Sequence, residues 1–320
     1  MKIGLFIAIY AQDSLDAALD KVKALGLETV EIGTGNYPGS PHCELDTLLA
    51  SEDARKRFLD KVHSRDLEIS GFSCHGNMLH PDERIANAHH ILFEKTITLA
   101  QQCGVKVVNN FSGTPGGGPQ DKTPNWITCP WPNEYSDALK WQWEEKLIPY
   151  WRKMSKVMAD HDVKVGIEMH PGFMVYNPES LLRLRRECGD TIGCNFDPSH
   201  LFWQGIEPVL AVRALAGCIY HCHAKDTKIY EPNSTVNGVL DTKSYLDEIN
   251  RSWIFRSVGY GHGREFWCDL VSTMRLCGYN GTLSIEHEDS LMSGPEGLNK
   301  AISMLRDVVI REDLGTAWWV

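Results

Sequence analysis

Short apolar runs alternate with longer stretches of helical period along the whole chain. "IGLFIAIY" at residues 3–10 is strand-like. It is followed by "SLDAALDKVKALG", where Leu15, Ala18, Leu19, Val22 and Leu25 share one helical face, Ser14 is a cap and Gly26 a stop. The same alternation predicts strands in "TVEIGTG" (29–35), "EISGFSCHG" (68–76), "KVVNNFSG" (106–113), "KVGIEMHPG" (164–172), "IGCNFDPSH" (192–200), "CIYHCHAKD" (218–226) and "GTLSIEHED" (281–289). Helical patterns separate them, the longest being "RIANAHHILFEKTITLAQQCG" (84–104). Two long interruptions break the rhythm: a Gly-, Pro- and Trp-rich stretch near 113–137 and a second near 227–263.

About eight β/α units in unbroken order imply a parallel sheet covered by helices, closed as a (β/α)₈ TIM barrel spanning residues 1–320 as one domain. An open doubly wound sheet is the alternative, but no GxGxxG follows the first strand. The prolines of "GTPGGGP" interrupt the string of N–H donors that a phosphate loop needs, so the two long segments read as active-site loops.

A chain of 320 residues with 42% hydrophobic content can bury a substantial core. Its net charge of −10 disfavours a nucleic-acid partner. The ten cysteines form no CxxC; Cys74, Cys194, Cys218 and Cys222 lie inside or at the ends of apolar runs, and Cys103 and Cys277 precede glycines at helix ends, which suits mostly buried thiols in a reducing compartment rather than disulfides. No apolar run is long enough to span a membrane, and "MKIGLFIAIYAQD" reads as a strand entering a loop rather than a secretion signal. A cytoplasmic location is expected.

In such a barrel, chemistry sits at the C-terminal strand ends. The fifth strand ends in Glu168 and His170, the sixth in Asp197 with His200 a turn later, the seventh in His221, His223, Lys225 and Asp226, and the eighth in Glu286 and Glu288. A single carboxylate there is as often a helix cap or a loop ion pair. Four successive strands ending in carboxylates or imidazoles are different, because such groups repel unless a cation neutralises them. Three carboxylates and an imidazole make a hard donor set, suited to Mn²⁺ first, with Mg²⁺ or Co²⁺ as alternatives.

"GIEMHPG", "NFDPSH", "HCHAKD" and "SIEHED" together resemble the signature strand ends of the xylose isomerase-like TIM-barrel family of sugar isomerases and epimerases. The resemblance implies one divalent ion held by Glu168, Asp197, His223 and Glu286, with His200 contacting substrate. It also implies proton abstraction beside the carbonyl of a keto-sugar, through a metal-stabilised enediolate, with Glu168 and Glu286 as the acid/base pair. His75, His170, Asn109 and His262 are further substrate-binding candidates. His75 can equally be a backbone-bonded core histidine, and Asn109 can simply tie down its loop. Lys225 and Asp226 read as an ion pair orienting His223, and Glu31 as a structural hydrogen-bond acceptor.

Tryptophans 126, 131, 141 and 143 crowd the first long loop and the helix after it. They pack the loop or, as with Trp131, stack on a sugar. "TCPWPNE" resembles family members that break down 3-keto-glycosides, where the same proton abstraction is followed by elimination. The alternatives are therefore a lyase, as in the larger subunit of C-glycoside-cleaving enzymes that work with a smaller partner, and a non-catalytic sugar-binding subunit. The "AWWV" terminus suggests contact with another subunit, so an oligomer is expected.

Overall fold

The structure is a computed structural model that describes every residue except Asp313, Leu314 and Thr316. Eight strands close into a barrel in which every pairing is parallel. They are β1 (Lys2–Phe6), β2 (Thr29–Gly33), β3 (Glu68–Ser73), β4 (Val107–Asn110), β5 (Lys164–Glu168), β6 (Ile192–Phe196), β7 (Ile219–Ala224) and, last in the chain, Thr282–Ile285, which pairs with both β7 and β1. The predicted alternation therefore closes on itself. Between them the chain forms a separate two-stranded antiparallel ribbon, β8 (Asp226–Ile229) and β9 (Trp253–Arg256), so the closing strand is β10. This corrects the expectation of an irregular loop over 227–263. The ribbon and the helix Glu231–Asn237 occupy that segment.

The helices outside the barrel follow from local signals. Asp82 caps Glu83–Cys103 by accepting the Arg84 N–H, and Gly104 ends it with φ 72°. Asn177 and Ser180 form a reciprocal cap at the start of Pro178–Cys188. The apolar faces of these helices pack against the sheet, with Phe93, Ile97, Trp151, Leu181 and Leu184 all fully buried.

The first long loop is fastened from two sides. A π-helical segment, Gln142–Leu147, joins the helices Asn133–Trp141 and Ile148–Asp160. It turns Gln142 inward, where its amide donates to the carbonyls of Gly116 (2.9 Å) and Asn125 (2.8 Å). The Trp151 indole N–H donates to Ser112 O at 2.9 Å. Both are buried donors satisfied by loop carbonyls, which fixes the base of the loop beside β4.

All ten cysteines are free; Cys74, Cys194, Cys218 and Cys222 are buried as their apolar runs predict, whereas Cys129 is exposed. Among the described residues no helix is long and apolar enough to cross a membrane. Trp318 and Trp319 are exposed and meet edge to face.

Close packing between β6 and β7 leaves no space for a side chain at Gly193. An added Cβ would lie 2.2 Å from the Tyr220 ring and 2.6 Å from the Cys218 carbonyl. Gly193→Ala is expected to destabilise the fold by about 1–3 kcal/mol, the usual cost of overpacking. A lowered urea midpoint at unchanged slope will report it.

Candidate active site

Beneath the C-terminal mouth of the barrel lies a layer of buried polar side chains where such barrels usually carry branched apolar ones. Glu31 on β2 is fully buried and is the centre of that layer. Its Oε1 accepts from Ser73 and from Asn109 Nδ2 (2.9 Å), and its Oε2 from Ser284 Oγ (2.7 Å). His223 Nε2 donates to the same carboxylate at 3.0 and 3.1 Å. The β2–β3 register shifts between Val30 and Glu31, and the β6–β7 register between Cys194 and Asn195. These two irregularities lie directly before the side chains that build the layer.

The Glu31 bond decides which nitrogen of His223 is available. With Nε2 turned down to Glu31, Nδ1 is the nitrogen that faces Glu168 Oε2 (3.3 Å) and Glu286 Oε2 (3.4 Å). Glu168, Asp197 and His223 each present a ligand atom within 4.8 Å of the others. Asp197 Oδ1 accepts the Ser199 N–H (2.8 Å), while its Oδ2 is buried with no hydrogen-bond partner among the described residues. A buried carboxylate oxygen with no hydrogen bond, near only Lys225 (3.2 Å) and His200 (3.3 Å), beside an imidazole nitrogen that faces two further carboxylates, is what a hard divalent ion would satisfy. The donor set thus fits a hard divalent ion: Glu168, Asp197 and His223 form a cluster that could hold one, and Glu286 Oε2 lies 3.4 Å from His223 Nδ1 beside it.

The remaining predicted residues divide between the mouth and its supports. His200 Nε2 lies 3.2 Å from Glu168 Oε1 and 3.3 Å from Asp197 Oδ2. His75 Nε2 is 3.0 Å from Glu168 Oε2. His170 packs its ring 4.1 Å from that of His200 and donates from Nδ1 to Pro171 O. Asn109 lies lower, with its amide committed to Glu31. His262 donates to Asp226 Oδ1 at 2.7 Å and stacks on Phe202 at 3.7 Å, which makes it part of the framework beside the mouth. Trp131 is 73% exposed on the long loop.

Lys225 and Asp226 do not pair with one another, which corrects the expected ion pair. Lys225 Nζ reaches Glu286 Oε2 (2.6 Å), Glu288 Oε2 (2.9 Å) and Asp197 Oδ2 (3.2 Å), and lies 4.6 Å from the Phe255 ring. Asp226 instead receives the backbone N–H groups of Gly259 (3.1 Å), Gly261 (3.0 Å) and His262 (2.8 Å) on one oxygen. Consecutive residues at a strand end point in opposite directions, so sequence adjacency misled here.

The electrostatics follow from burial set against these contacts. Burial pushes the Glu168 carboxyl up, but His223, His200 and His75 outweigh it and hold the group well below its usual range. Glu286 is likewise pushed up by burial and brought down, chiefly by Lys225 and then His223, to about 2. Burial depresses His223, yet Glu31, Glu286 and Glu168 raise it well above an ordinary imidazole. His170, buried and beside His200, falls to about 3 and is therefore neutral.

Above these groups is a cavity of about 390 Å³. Glu168, Glu286 and His75 lie at its base, Glu288 at its rim, and Phe6, Ile9, Tyr37, Pro38 and Phe111 line the rest. A neighbouring cavity of about 380 Å³ shares Glu288 and is lined by His170, Tyr245, Leu246, Ile254 and Phe255. The aromatic walls lie outside the four strand-end motifs. Tyr37 is in the loop after β2, and Phe111 directly follows β4. Asn195, which donates to Glu168 Oε2 at 3.0 Å, was visible in "NFDPSH" but had no assigned part.

A family model described as xylose isomerase-like TIM barrel matches residues 19–308. The chain belongs to this family. Within reach of the xylose isomerase-like barrels, the chain is 40% identical over 308 residues to the uncharacterized protein YfiH of Bacillus subtilis (strain 168), covering 94% of this chain and 98% of that one. It is 29% identical over 150 residues to the rhizopine catabolism protein MocC of Rhizobium meliloti, covering 46% and 43% of the two chains. A D-tagatose 3-epimerase-like protein superposes with a TM-score of 0.64 at 19% identity, over 96% of this chain and 97% of that one. The probable 3-DHS dehydratase AsbF from Bacillus anthracis gives 0.65 at 16%, over 96% and 99%. At these identities the two structures share the fold with this chain.

Asp226→Ala will leave three loop N–H groups without their acceptor, each loss worth about 1–3 kcal/mol. Amide hydrogen exchange at Gly259, Gly261 and His262 is expected to rise about tenfold or more while the barrel strands stay protected.

Proposed function

We propose that this barrel is a divalent-metal-dependent sugar isomerase or epimerase that moves a proton at the carbon beside the carbonyl of a keto-sugar. The observation that carries the reading is the common cavity floor: Glu168 and Glu286 line one chamber, next to the oxygen and nitrogen atoms that a divalent ion would take. Family membership and the resemblance in fold to a D-tagatose 3-epimerase-like protein support it. A bound ion, with Mn²⁺ the best match to the donors, supplies Lewis-acid polarisation of the substrate's carbonyl and charge stabilisation of the enediolate.

The two carboxylates are not equivalent. Both oxygens of Glu168 are engaged, Oε1 by His200 and Oε2 by Asn195, with His75 and His223 also within 3.3 Å of Oε2. Glu286 is held through Oε2 by Lys225, and Oε1 is left for the chamber. Glu286 is accordingly the group that accepts the substrate's proton, and Glu168 with His200 manages the proton on the other side. The chamber's apolar walls meet the C–H faces of a sugar and exclude water from the reacting carbon. His75 and Glu288 are placed to bond hydroxyls.

A second reading, elimination from a 3-keto-glycoside, is favoured by one observation: the adjoining cavity with Tyr245 and Phe255 offers aromatic surface for a leaving group. Here the same proton is removed, and the electron pair left on carbon expels the attached group instead of being reprotonated. A non-catalytic sugar-binding subunit would bind ligand with no exchange at all.

Glu168→Gln and Glu286→Gln are each expected to lower turnover on the order of 10²–10⁴-fold. Chelator treatment will abolish activity, and Mn²⁺ will restore it. Incubation of keto-sugars and 3-keto-glycosides in deuterated water separates the readings. Deuterium in recovered sugar without release of the attached group supports isomerisation or epimerisation; release supports the lyase; neither, in the Mn²⁺-loaded protein, sinks both.

A further inference from the structure

Lys225 is a fully buried ammonium whose three protons face three carboxylates from different parts of the mouth. Two of those contacts fall on the atoms wanted by the ion. Asp197 Oδ2, at 3.2 Å from Nζ, is the oxygen left over once Oδ1 has accepted the Ser199 N–H. Glu286 Oε2, at 2.6 Å from Nζ, is also the oxygen that lies 3.4 Å from His223 Nδ1. The third tether, Glu288, comes from the same strand end as Glu286 and is half exposed at the rim. Behind the ammonium, the Phe255 ring at 4.6 Å closes off solvent. Lysine has a compact charge on a flexible stem, so it can share oxygens that a rigid guanidinium fork would monopolise.

We propose that Lys225 is an internal competitor for the divalent ion, sharing Asp197 Oδ2 and Glu286 Oε2 with it and thereby weakening its binding. The inference rests on the metal reading above and adds a determinant of affinity to it. The ion and the ammonium divide the electron density of the same two oxygens, and they repel one another across a site with little water to screen them. Neutralising the lysine relieves the repulsion and leaves both oxygens wholly to the ion. It also leaves the ion-free protein with three mutually repelling carboxylates around one point, so the same change that tightens binding makes the stripped protein less stable.

The test is Mn²⁺ titration by calorimetry of chelator-stripped wild type, Lys225→Met, Lys225→Gln and Lys225→Arg, with thermal melts of each with and without Mn²⁺. The two neutral variants are expected to bind Mn²⁺ at least about tenfold more tightly, since each tenfold needs only about 1.4 kcal/mol of relieved repulsion. Stripped, they will melt below wild type and gain more from Mn²⁺ than wild type does. Lys225→Gln guards against misfolding of the methionine variant, because its amide can still donate to Glu286. Lys225→Arg keeps the charge and is expected not to gain affinity. Weaker Mn²⁺ binding in folded Met and Gln variants would show that the lysine orients the ligands, and would overturn the competition alone. A tightening in Lys225→Arg equal to theirs would do the same. A folded wild type that binds no Mn²⁺ overturns the metal reading and the competition with it.

Discussion

Five carboxylates converge on the mouth of this barrel, those of Glu31, Glu168, Asp197, Glu286 and Glu288, and their mutual repulsion is the constraint around which the structure is arranged. An isolated buried carboxylate would take up a proton rather than stay charged. Here each finds a different remedy. Glu31 is surrounded by hydroxyl, amide and imidazole donors; Glu168 by three histidines and an amide; Asp197, Glu286 and Glu288 by one ammonium. The barrel interior just beneath the mouth has exchanged apolar packing for these donors. That exchange is tolerated because each of these carboxylates meets at least one donor or positive charge.

The hierarchy within the cluster explains how a rigid fold delivers a reactive site. Glu31 is the deepest group, and its chief effect is exerted through His223, whose ring it holds in one orientation. Glu168 is the next layer up, positioned by His75 just after β3, Asn195 on β6, His200 in the turn that follows β6 and His223 on β7. Glu286 is the most loosely held of the three, and it is the one that faces the chamber with a free oxygen. Order therefore decreases toward the place where atoms must move.

Much of this was legible in the sequence, for a definite reason. Strands of a parallel barrel end in short motifs, and period-two alternation shows which of their residues share a face, so the titratable strand ends could be read off without coordinates; the resemblance of four motifs to the xylose isomerase-like family then singles out Glu168, Asp197, His223 and Glu286 among them. What escaped reading depends on contacts across the barrel. Glu31 is 192 residues from the histidine it orients, and nothing near it in the chain points to that partner. Lys225 and Asp226 looked like a pair because they are neighbours, whereas their side chains serve opposite sides of the strand. The ribbon was missed because β8 and β9 are four residues each, with more than twenty residues between them that give no hairpin turn signal.

That ribbon has an implication for how such a protein can diversify. Phe255, on β9, touches His200 and Lys225 and lines the second cavity, yet the ribbon belongs to none of the eight barrel strands. It is an appendage whose side chains reach the polar cluster at the mouth without belonging to the strands that build it. Residues along it can be exchanged, reshaping what is admitted beside Glu288, without disturbing the barrel strand ends that carry Glu168, Asp197, His223 and Glu286.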